Sequence, residues 1–88
     1  MKANPDHRVK IVVTESGCPL MQKGATIYLE GALIDYQESA PVCVTALAGI
    51  YPWVMTARFG IESPAMGYDG GYRVSCPDKL VEFFITTI

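Results

Sequence analysis

Histidine occurs once in this chain, at position 7, and no phosphate-cradling glycine loop, Ser-His-Asp set or metalloprotease helix can be assembled from the residues present. Basic residues are also scarce. Seven Lys and Arg stand against nine Asp and Glu, a net charge of -2 at pH 7, so nothing forms the cationic footprint that a phosphate backbone demands; nucleic acid is set aside as a partner. The longest apolar run, from Val42 to Ala57, falls short of the ~20 residues needed to cross a bilayer. It also carries Gly49 and Pro52 in its middle, which favours a buried helix over a membrane span. The opening MKANPDHRVK lacks the apolar core of a signal peptide, and a cytoplasmic location is expected. Cysteine is limited to Cys18, Cys43 and Cys76, an odd number that argues against a disulfide scaffold and for reduced thiols.

What the chain does have is apolar mass. Half of its 88 residues are hydrophobic, enough for a single domain over 1–88 with residues 1–7 as a loose lead-in, at a size where association often supplements one core. The stretch PVCVTALAGIYPWVMTARFG, residues 41–60, dominates. Between Val42 and Ala57 its only hydroxyl-bearing threonines are Thr45 and Thr56, so a helix here has no hydrophilic face and must be covered all round. A small sheet covers one side, and a homodimer is expected to cover the rest. Gln37-Glu38-Ser39-Ala40 supplies capping chemistry ahead of Pro41, which puts the helix start close to Ser39. Pro52 should free the Ala48 carbonyl and break or kink the helix, and Arg58 with Gly60 should end it.

On either side of this helix the pattern is that of strands. RVKIVVT, 8–14, sets Val9, Ile11 and Val13 on one face; ATIYLEG sets Ile27 and Leu29 opposite Thr26, Tyr28 and Glu30. Leu33-Ile34-Asp35-Tyr36 is too short to assign. After a glycine-rich exposed loop, GIESPAMGYDGGY, the segment YRVSC shares Tyr72, Val74 and Cys76 on a face, and KLVEFFITTI does the same with Val81, Phe83 and Ile85. The last segment is apolar on both sides, as a central or covered strand would be. The sum is an α+β domain of order ββαββ, with about four mainly antiparallel strands packed on one proline-broken apolar helix.

The chemistry available is mostly thiol chemistry. Cys18 and Cys76 each end a strand at a Cys-Pro, and Cys43 falls in the expected first helical turn, where unpaired amides and the positive dipole end favour a thiolate. If the strand ends meet the helix N-terminus, the three sulfurs converge. They would then form either a trithiolate site for a metal such as zinc, or an activated thiol at Cys43, a candidate catalytic nucleophile, with two neighbours. Plain packing is the alternative for each, since free cysteine behaves as a small buried hydrophobe and no paired Cys-x-x-Cys is present. Arg58, Trp53 and Tyr72 are candidate ligand-binding residues, although a helix-terminal cation and core aromatics are their more ordinary roles. His7 is a candidate fourth ligand or base. Glu15, Glu38, Asp69 and Asp78 lie in loops from which they could orient a ligand, although turn and cap roles explain each as well.

The order of these features is familiar. Gly17-Cys18-Pro19, Pro41-x-Cys43 opening TALAGIYPWV, Arg58-Phe59-Gly60, Cys76-Pro77-Asp78 and a terminal VEFFITTI resemble a family of small uncharacterised prokaryotic proteins, sometimes labelled an uncharacterised repeat family. The resemblance covers nearly the whole chain. It departs at Ala65, which follows Pro64 where many members carry tryptophan. It implies the fold unit and carries no activity to transfer. A small domain with a cysteine-lined site for a metal ion or a small molecule is therefore expected. The alternatives are a non-catalytic homodimeric interaction or accessory subunit, and a small thiol-dependent enzyme acting on an aromatic or carbonyl compound.

Overall fold

Alternating apolar residues lay down the sheet in this computed structural model, which describes residues 7–88. Residues 1–6 of the expected lead-in lie outside the described residues. In chain order the elements are β1 (Arg8–Ser16), β2 (Thr26–Glu30), β3 (Leu33–Ile34), α1 (Val44–Arg58), a 3-10 turn (Pro64–Met66), β4 (Tyr72–Ser75) and β5 (Val81–Thr87). Val9, Ile11 and Val13 of β1 are each at most 1% exposed and meet the inward residues of both neighbours: Ile11 lies opposite Ile27 of β2 and Ile85 of β5. Burial of one such aliphatic side chain contributes roughly 1.5–3 kcal/mol, so this three-strand centre holds much of the hydrophobic stabilisation. The strand order is β3-β2-β1-β5-β4, and every pairing is antiparallel.

The α+β class is thus present, with two corrections. The sheet has five strands rather than about four, and the order is βββαββ rather than ββαββ, because Leu33 and Ile34 pair with Glu30 and Leu29. The final strand does sit inside the sheet, between β1 and β4.

The helix departs from expectation in both start and continuity. It begins at Val44, with Cys43 as an extended N-cap (φ -72°, ψ 126°), rather than close to Ser39. Ser39 is used elsewhere: its hydroxyl accepts the Tyr28 amide at 2.8 Å and donates to the Tyr28 carbonyl at 3.1 Å. The Ala40 amide donates to Thr26, and the Asp35 carboxylate accepts the Gln37 and Glu38 amides, so residues 35–40 are consumed in covering the edge of β2. Nor does Pro52 break α1, which runs through it. Ala48 and Pro52 are both exposed, so the carbonyl that loses its amide partner has water within reach, and the Thr56 hydroxyl donates to the Pro52 carbonyl at 2.8 Å. The stop falls where Gly60 puts it. Gly60 has φ +71°, its amide donates to Ala57, and the Ile61 amide reaches back to Thr56, the paired bonds of a Schellman ending.

Only one stripe of α1 is buried, Ala46, Ile50, Val54 and Ala57, and it lies on the sheet. Val44 at 79% and Met55 at 37% remain exposed, so within one chain the helix is covered on one side.

Candidate functional site

Two chain reversals meet at the N-terminal end of α1, and each delivers a cysteine to join the one that the helix start supplies. The first depends on a bulge. Between Val13 and Glu15 the β1–β5 register shifts, and the Thr14 hydroxyl donates to the Glu82 carbonyl at 3.1 Å. Beyond the shift Ser16 stands opposite the buried Val81, so an even-numbered residue now faces the core, where odd-numbered ones did before. The Ser16 hydroxyl accepts the Cys18 amide at 3.2 Å and donates to the Met21 carbonyl, while the Gly17 amide donates to Leu80 at 2.7 Å. Cys18 is thereby held half-buried beside the other turn.

That other turn is Cys76-Pro77-Asp78-Lys79, closed by the Lys79 amide donating to the Cys76 carbonyl at 2.9 Å. Pro77 supplies the fixed φ that the second position of such a turn favours. Lys79 takes φ +59°, a left-handed conformation that glycine would adopt without cost. Cys76 is 8% exposed, and its Sγ accepts the Leu80 amide at 3.4 Å. The turn lies directly on the helix. A Cβ placed on Gly49 would come within 2.5 Å of Pro77 Cγ, so only a residue without a side chain at this point of α1 permits the approach.

Cys43 completes the set as N-cap of α1, half-buried and making no side-chain capping bond. The three cysteines line one recess of about 300 Å³ of unfilled space, its open mouth included. Buried Met21, Ala46 and Val81 also line it, and the exposed Thr45, Asp78 and Leu80 border it. Apart from Thr45 and Asp78 its walls are apolar. Among the described residues no group of three or more His, Cys, Asp or Glu is placed to hold a metal ion. Cys18, Cys43 and Cys76, expected as a trithiolate set or as an activated thiol with two neighbours, share the lining of this one recess.

The remaining candidates stand apart from this recess. Arg58 occupies the last turn of α1, roughly 20 Å from Cys43 at 1.5 Å per helical residue, with its guanidinium 5.6 Å from the centroid of the Phe59 ring and 3.6 Å from Met55 Sδ. Trp53 and Tyr72 pin the loop after the helix. The Trp53 indole donates to the Met66 carbonyl at 3.1 Å; the Tyr72 hydroxyl donates to Ile61 and accepts the Ser63 amide. Tyr72 is 1% exposed and packs edge-to-face on Tyr68 at 5.2 Å, where partial desolvation and then the Glu62 carboxylate raise the Tyr68 phenol above its ordinary range. His7 also sits at the far end, its ring against Gly60. Of the loop acids, Asp78 alone borders the recess, and Glu15 pairs with Lys23 at 3.2 Å. Met21 and Leu80 were not legible as site residues, since Met21 falls in a turn without periodicity and Leu80 reads as part of the second apolar face of the last strand. Their nearest signal is the adjacent Cys-Pro in each case.

A second concavity flanks the other side of the α1 N-terminus. It comprises about 870 Å³ of unfilled space, open to solvent and lined among others by Ile34, Tyr36, Pro41, Val42, Val44 and Leu47, with no ionisable group except the Tyr36 phenol. Comparison of the chain with family models, with curated proteins and with solved structures found no match in any of the three.

Proposed function

We propose that the recess at the leading end of α1 binds a small molecule, with the thiols of Cys18, Cys43 and Cys76 as its chemically distinctive groups. One observation carries this: three cysteines remote in sequence line a single apolar space that the packed core leaves unfilled. Packing alone accounts for Cys76, which is nearly enclosed. It accounts less well for Cys18 and Cys43, which are only half-buried. A small molecule is preferred to zinc because no group of three or more His, Cys, Asp or Glu among the described residues is placed to hold a metal ion. The proposal extends to the family of small prokaryotic proteins that the chain resembles, and it places the protein in the cytoplasm, where thiols stay reduced. Titration of the folded protein with N-ethylmaleimide tests it. Two thiols should react in the native state and the third after denaturation, and cyclohexanone should slow the native reaction. Three thiols unreactive until the chain unfolds would overturn the proposal.

A second reading, a non-catalytic homodimeric subunit, is favoured by the uncharged groove beside Val44, where Tyr36 is 85% and Val44 79% exposed. Light scattering decides it. A dimer that Val44→Glu dissociates supports this reading, and a monomer at micromolar concentration ends it.

A further inference from the structure

We infer that the recess is shaped for a small uncharged α,β-unsaturated carbonyl compound and that Cys43 is the thiol that adds to it; this rests on the recess being a ligand site, as proposed above. The lining limits the ligand first. The buried Met21, Ala46 and Val81 favour a small apolar body. Asp78 at the edge sets a like charge against any anion that would have to leave water to enter.

The thiols then limit its chemistry. With no metal-holding group among the described residues, what three sulfurs offer a ligand is nucleophilic attack on a soft carbon. They are not equivalent. Cys76 is nearly enclosed, its sulfur accepts the Leu80 amide, and its turn is wedged by Pro77 against Gly49. Cys18 sits in a turn fixed by Ser16 and belongs to no helix itself. Cys43 caps a 15-residue helix with a side chain that makes no capping bond. The first amides of α1 are thus left without a side-chain cap from this residue.

That pairing suits conjugate addition. The sulfur forms a bond to the β-carbon, the carbon–carbon double bond becomes single, and negative charge collects on the carbonyl oxygen as an enolate. Helix N-terminal amides stabilise an oxygen of that kind. The proton lost from the thiol ends on the α-carbon, so thiol and enone combine with every atom retained and with no oxidant or reductant.

The probe is 2-cyclohexenone, with cyclohexanone as the saturated counterpart that has ring and carbonyl but no electrophilic carbon. Peptide mass mapping of the folded protein should show a one-to-one adduct on Cys43, formed about tenfold faster than on Cys18 or Cys76. Cys43→Ser should abolish that adduct while keeping the parent's circular dichroism and urea midpoint, which separates loss of the nucleophile from loss of the fold. Cyclohexanone should compete. If cyclohexanone protects the thiols while the enone alkylates Cys18 or Cys76 first, or no thiol, the inference fails and the ligand site stands. If neither compound engages the recess, both fall.

Discussion

Gly49 occupies the middle of a helix, where alanine is ordinarily preferred by about 1 kcal/mol. Its lack of a side chain is explained by Pro77, whose Cγ and Cδ would lie 2.5 and 2.6 Å from an added Cβ. Overpacking of this kind costs about 1–3 kcal/mol, so Gly49→Ala is expected to lower stability in urea by about 1 kcal/mol net despite the better helix propensity. Because Pro77 is exposed, the strain is relieved by lifting the Cys76–Lys79 turn, and Cys76 should become reactive in the native state. A variant more stable than the parent with Cys76 still protected would contradict this account. The Gly49–Pro77 contact was not legible in the sequence, where Gly49 reads only as a weak point in an apolar run. The recurrence of Cys-Pro at two strand ends was legible, and it is the feature that correctly drew Cys18 and Cys76 toward one place.

Among the elements, those built by alternation were legible and those set by competition for hydrogen bonds were not. Val9-x-Ile11-x-Val13 and Val81-x-Phe83-x-Ile85 bury the residues their period of two requires. Gly60 stops α1 because the left-handed conformation and its two backward bonds are local properties. The helix start failed since Ser39 had two possible partners, the amides of a helix turn and the Tyr28 backbone, and the sheet edge won. Pro52 failed as a breaker because it lies on the watered side of α1, where a lost backbone bond is least costly. The bulge at Thr14, which changes the face presented by Ser16, leaves no mark in composition.

At the scale of the whole molecule the fold is two layers, one sheet and one helix, 19 Å through its thinnest direction. The open face of the sheet is sheltered by its own cations: the Arg8 guanidinium lies 4.9 Å from the centroid of the Tyr28 ring and that of Arg73 5.1 Å from the Phe84 ring. The other layer is incomplete at the α1 N-terminus, where the recess and the uncharged groove lie on either side of Cys43. The single cavity joining the three cysteines is the claim on which the functional account depends. Its most direct measurement is a cyclohexanone titration of the folded protein, isotope-labelled at cysteine Cβ and followed by nuclear magnetic resonance. The account predicts that the Cys18, Cys43 and Cys76 signals shift together along one saturation curve while the Gly60 amide stays in place; signals that move singly, at separate concentrations, or not at all would contradict it.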